Sequence, residues 1–156
     1  MKKTVIILGI FFSFFIFSED LSERMSYYEQ AEEYFSIENY EKAEEYYNLA
    51  VENNESVDDS YTALGVIYDG KKETVKAREY YEKAAEMGNT YALNNLGVSY
   101  RKEQNYEKAK YYHELALANG NNNSLGYLGD IYLFQGNYKE AKKYYKEGMK
   151  HLLKMK

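Results

Sequence analysis

The chain repeats its own wording every 32 residues. Leu64-Gly65, Leu96-Gly97 and Leu128-Gly129 keep that interval, as do Tyr68, Tyr100 and Tyr132, and Ala77, Ala109 and Ala141. A period of this length marks stacked helical units, none of which buries its apolar face alone. The clearest copy runs from Tyr91 to Gly120. The period constrains architecture strongly and function weakly: it points to an interaction scaffold and names no ligand.

The spacing predicts four helix pairs, roughly 22–53, 58–87, 90–119 and 122–154. Leu21 to Ser36 reads as the first helix, with Ser22 as its cap and Tyr27, Tyr28, Ala31, Tyr34 and Phe35 on one stripe. Asn39, Asn105 and Asn137 each precede a tyrosine and stand four residues before an alanine. An asparagine there accepts from the first free amides of the second helix. Asn137 and Glu140 also have capping-box spacing. Asn53-Asn54, Gly88-Asn89 and Asn119-Gly120 supply left-handed residues that end the second helices. Gly65, Gly97 and Gly129 fall inside first helices, where glycine costs ~1 kcal/mol relative to alanine. Its threefold recurrence implies a neighbour that leaves no room for a side chain.

The pattern L-G-x-x-Y … A-x-x-x-Y-x-x-A resembles the tetratricopeptide repeat. Leu64, Gly65, Tyr68, Ala77, Tyr81 and Ala84 carry it in the second pair, and Leu96, Gly97, Tyr100, Ala109 and Ala116 in the third. Leu128, Gly129, Tyr132, Ala141 and Tyr145 carry it in the fourth. The first pair has Gln30-Ala31 in place of Leu-Gly but keeps Tyr34, Ala43, Tyr47 and Ala50. His113 replaces an aromatic, Gly148 replaces the last alanine, and the closing proline is missing throughout. The short link at Ala84–Tyr100 resembles the Sel-one-like branch. The resemblance implies an all-α fold, a right-handed superhelical solenoid of about four antiparallel helix pairs.

Composition narrows the function classes. With 156 residues the chain is long enough for one domain. Its net charge of −5 gives no general attraction to nucleic acid or anionic lipid. The absence of cysteine excludes disulfides and thiolate metal sites. Twenty tyrosines, all at or after Tyr27, suit gaps between helices, where the ring packs and the hydroxyl reaches an edge.

Met1-Lys2-Lys3 followed by the apolar run Thr4 to Phe17 has the layout of a secretory signal peptide ending near Ser18. Fourteen residues at ~1.5 Å each fall short of the ~30 Å hydrocarbon core. Residues 1–18 are therefore expected to be a cleaved signal and 19–156 the repeat domain, secreted or periplasmic. The alternative is retention of residues 4–17 as an anchor in the inner membrane, making the protein a structural component of an envelope assembly. Loss of Lys2 and Lys3 on cleavage would take the net charge from −5 to −7.

No catalytic constellation stands out, and the chain is expected to be neither an enzyme nor a cofactor or metal binder. Gly65 to Lys72 mimics a phosphate-binding loop, but Lys72 stands where that loop needs serine or threonine, so a turn between helices is expected. His113 and His151 are 38 residues apart and fit no ligand motif. His113 holds an aromatic repeat position, which predicts packing.

The resemblance also implies that the first helices line a concave face that takes a peptide or partner protein. On it would lie Tyr28, Glu32 and Phe35, then Thr62, Val66 and Asp69, then Tyr91, Asn94, Val98 and Arg101, and finally Asp130, Leu133 and Phe134. This mixture suits a polar or basic extended segment. Glu32, Val66, Val98 and Asp130 stand where relatives hold a basic clamp for a C-terminal carboxylate. Repeat arrays usually finish on a polar cap. Here the last helix carries Tyr144, Tyr145, Met149, Leu152 and Leu153, which points to a face for a second copy, making a homodimer, or for a partner; the alternative is that Lys150, Lys154 and Lys156 make the helix soluble alone. No nucleic acid partner is expected, nor a membrane contact after signal cleavage.

Overall fold

The computed structural model describes residues 25–154. The proposed signal peptide and Ser22 lie outside them. The chain divides into two compact units, one ending at Ser56 and the other beginning at Val57. All the regular structure among the described residues is helical.

The first unit holds α1 (Tyr27–Ser36) and α2 (Tyr40–Glu52). Among the described residues the first helix starts at Tyr27, where Ser26 caps it; the expected start at Leu21 lies outside them. The Glu29 amide donates to Ser26 Oγ at 3.1 Å, and the Ser26 amide donates to Glu29 Oε2 at 2.8 Å. This reciprocal capping box satisfies two otherwise free donors. Ala31, Ala43 and Ala50 are fully buried, and so is Tyr47. The rings of Tyr28 and Phe35 pack against Tyr47 at 6.0 and 6.3 Å between centroids. Small residues let the two backbones approach, and aromatic rings fill what remains.

The second unit holds three pairs: α3 (Val57–Gly70) with α4 (Thr74–Glu86), α5 (Thr90–Lys102) with α6 (Tyr106–Ala118), and α7 (Ser124–Phe134) with α8 (Tyr138–Lys154). Each pair packs on itself first and on the next pair second. The core combines Leu64, Leu96, Leu125, Leu128 and Ile131 with the alanines at Ala77, Ala84, Ala109 and Ala116.

The turns follow one plan. Asn39, Asn105 and Asn137 each accept from the amide three residues on, at 3.2–3.3 Å. Glu73 holds the equivalent place before α4 and makes no side-chain cap. The expected capping box at Asn137 forms only in half. Glu140 donates its amide, but its carboxylate turns to Lys143 at 3.4 Å, and the Asn137 amide bonds to the Tyr132 carbonyl at 2.8 Å. The turns within pairs place Glu38, Lys72, Gln104 and Gly136 at positive φ. The ends of the second helices use Asn54, Gly88 and Gly120 in the same way. The stretch resembling a phosphate loop is the end of α3 and the turn into α4.

The close neighbour of each repeat glycine is the ring of the second helix in its own pair. A Cβ on Gly97 would lie 2.5 Å from His113, and one on Gly129 would lie 2.5 Å from Tyr145. One on Gly65 would collide with Tyr81 in the same way.

Candidate functional site

In the second unit α5 and α7 touch directly, and no two successive second helices approach as closely. The first helices therefore form the inner side of this unit. Of the residues expected to line it, Tyr91 at 64% and Phe134 at 63% are the most exposed, followed by Leu133 at 45%. Val66 is also exposed, and Thr62, Asp69, Val98, Arg101 and Asp130 are half-buried. In the first unit Glu32 is exposed, while Tyr28 and Phe35 are half-buried.

The acidic members of this set are already engaged. Asp69 accepts from Lys102 Nζ at 2.7 Å, and Asp130 accepts from the Tyr145 hydroxyl at 2.7 Å. Glu32 accepts from the Tyr47 hydroxyl. The bond to Asp130 holds the Tyr145 phenol in its neutral form and pushes its pKa up to about 12. The Thr62 hydroxyl donates back to the Asp58 carbonyl at 2.9 Å. Arg101 is the one cation of the expected set. Its guanidinium lies 6.0 Å from the Phe134 ring, which in turn stacks on Tyr106 at 6.4 Å.

Asn94 differs from the rest. It is only 6% exposed, and its amide oxygen is taken up inside the unit. That oxygen lies 2.9 Å from His113 Nδ1 and accepts from Ser124 Oγ at 2.7 Å. With the oxygen so placed, Nδ1 carries the proton and Nε2 faces Gly97. His113 is fully buried and stacks on Tyr127 at 4.7 Å. Burial, reinforced by Arg101 and opposed by Asp130, pushes its pKa down to about 4. It is thus a neutral packing residue that ties α6 to α5 and, through Asn94 and Tyr127, to α7.

Asn89 and Asn121 do work that the motif did not flag. Asn89 stands at the place of the missing proline. Its oxygen accepts from the Tyr91 and Ala92 amides at 3.1 and 3.0 Å. Its Nδ2 donates to Asp58 and Asp59 at 3.1 and 2.9 Å, joining the starts of α3 and α5. Asn121 repeats the arrangement toward Thr90 at 3.3 Å. The available signal was the run of asparagines between pairs, which at sequence level reads as turn composition.

Chemically this surface offers exposed aromatic and aliphatic groups with few free charges. Among the described residues no three His, Asp or Glu side chains come together as a metal site, and no helix is long and apolar enough to cross a membrane.

Paired helices stacked through alanine contacts and a glycine–ring register define a helical-repeat protein. Two sequence models of the tetratricopeptide repeat match, one over residues 28–92 and one over 89–154. The chain belongs to the tetratricopeptide repeat family. Its pairs are 34 residues apart between the first and second, as from Ala43 to Ala77, and 32 apart thereafter. No curated protein matches the sequence significantly. Among solved structures it is similar to BtubC from P. vanneervenii, with TM-score 0.71 and 23% identity over 83% of this chain and 63% of that one. It is similar to MamA, with TM-score 0.71 and 20% identity over 88% of this chain and 85% of that one. It is also similar to pilF of Pseudomonas aeruginosa, with TM-score 0.69 and 26% identity over 80% of this chain and 59% of that one. The chain thus spans less than two thirds of BtubC and of pilF.

Proposed function

We propose that the protein is an exported, non-catalytic scaffold. The inner surface of the first helices of the second unit holds an extended segment of a partner protein, and α8 pairs it with a second copy. Membership of the tetratricopeptide family supports protein binding as the general role. The observation that carries the site is the exposure of Tyr91, Leu133 and Phe134 along that inner side. Rigid, exposed rings are the usual anchors of such contacts. Because Asp69 and Asp130 already have partners, the segment is held by apolar and backbone contacts, with charge choosing among ligands.

A photocrosslinking residue placed at Tyr91 and at Phe134, in the living host, tests this reading. Both positions should trap the same partner, whereas Val75 and Tyr111, exposed on second helices, should not. Crosslinks from Val75 and Tyr111 alone would move the site to the outer surface. Export is read from the N-terminus of the host-made protein: Glu19 indicates a cleaved signal, and an intact Met1 indicates the anchored form.

A further inference from the structure

The two ends of the array depart from its internal repeats in opposite directions. On the first helix, Glu33 holds the place that Ile67, Ser99 and Ile131 hold in the later pairs, where all three are buried. Glu29 holds the place of Ala63, Asn95 and Tyr127. On the last helix, Lys146 holds the place of Glu82 and Glu114, and Lys143 that of Glu79. As a result α1 and α2 carry seven glutamates against Lys42 alone, and α8 carries six lysines against Glu140 and Glu147.

Among the described residues, the last pair also presents an open stacking face. Tyr81 and His113 are buried, but the equivalent Tyr145 is partly exposed, and Met149, Leu152 and Leu153 lie open. Two clefts flank Tyr145 and Met149. One, of about 590 Å³, is bounded by Tyr127, Asp130 and Leu152, and the other, of about 470 Å³, by Leu133, Tyr138 and Lys142. At the junctions within the second unit the corresponding surface is covered by the first helix of the next pair, as α7 covers α6.

We propose that this face receives the acidic first pair of a second copy, so that protomers join head to tail. The inference rests on the reading of α8 as a self-association surface and gives it a direction. Apolar contact on Tyr145 and Met149 supplies the seat. Glu29 and Glu33 meeting Lys142 and Lys146 supply the register, as opposite charges across an interface do. Because the two surfaces differ, the contact is heterologous and does not stop at two protomers.

Sedimentation of the host-made protein over a concentration series, at low and at high salt, tests the proposal. The mass at low salt should climb past two protomers, and high salt should raise the concentration for half-association roughly tenfold. The head variant Glu29→Gln with Glu33→Lys keeps a capping-box residue and should be monomeric. The tail variant Lys142→Glu with Lys146→Glu should be monomeric too. An equimolar mixture of the two should associate, because one retains a native tail and the other a native head. Unchanged helicity and melting temperature establish that both variants fold. Association that stops at two and survives in the head variant would overturn the direction and leave a symmetric tail-to-tail pair. A monomer at every concentration would overturn self-association as well, and a crosslink from Lys146 to a different protein would then assign the face to that partner.

Discussion

Gly97 lies directly against the ring of His113: a Cβ built on it would stand 2.5 Å from Nε2 and 2.6 Å from the adjacent ring carbon. The same relation joins Gly129 to Tyr145 and Gly65 to Tyr81. A glycine that weakens its own helix is retained because it lets the second helix of the pair lay a ring across the first.

Gly97→Ala should therefore destabilise the protein even though alanine is the better helix former. Overpacking costs ~1–3 kcal/mol, and the gain in helix propensity returns ~1 kcal/mol. Gly126 is the control. It lies within α7, is exposed, and a Cβ there would meet nothing within 4 Å. Gly126→Ala should raise stability by ~0.5–1 kcal/mol. Thermal melts of the two variants should move in opposite directions.

The neutral His113 makes stability depend on acid. Its pKa falls from the ordinary 6.5 to about 4, so the folded state resists protonation that the unfolded chain accepts. The stabilisation is complete above pH 6.5 and is lost progressively down to about pH 4, to a total of about 3 kcal/mol. His113→Phe removes the bond to Asn94 and should lower the melting temperature near neutrality. It should also flatten that fall between pH 6.5 and 4. If the variant keeps the wild-type slope, the acid sensitivity belongs to the carboxylates instead.

The repeat itself was legible because it is written in residues that only one packing requires: leucine and glycine on the first helix, alanine and a ring on the second. Helix boundaries followed within the described residues, and the cap of the first described helix proved to be Ser26 with Glu29. The candidate surface was legible only as a set of positions. Asn94 was a member by register, yet the neighbouring His113 and Ser124 draw its oxygen into the core. Asp69 and Asp130 were members by register as well, and Lys102 and Tyr145 occupy them. Which polar group is spent inside depends on contacts between helices some 15–33 residues apart, and one-dimensional spacing does not record those.

Gln104 sits at φ 60 in the turn between α5 and α6, where the fourth pair uses Gly136 at φ 74. The left-handed conformation costs an ordinary residue ~1–2 kcal/mol, and glycine's extra chain entropy returns part of that difference. Gln104→Gly should stabilise by ~0.5–1 kcal/mol, and Gly136→Gln should cost a similar amount. Urea denaturation midpoints check both.

Asn89 joins two successive pairs, since one side chain caps α5 and binds both aspartates at the start of α3. Asn89→Ala removes the cap and leaves Asp58 and Asp59 without that donor, at a cost of ~1–3 kcal/mol. Asn89→Asp separates the two roles. The new carboxylate can still cap α5, but it replaces a donor with a third negative charge beside two others. Like charges at that distance disfavour ionisation and raise the pKa of the group. The penalty should be largest at neutral pH and should shrink as the pH falls through the carboxylate range, opposite in sign to the His113 effect. A variant equally destabilised at every pH in that range would show that only the cap matters and that the bridge to α3 contributes nothing.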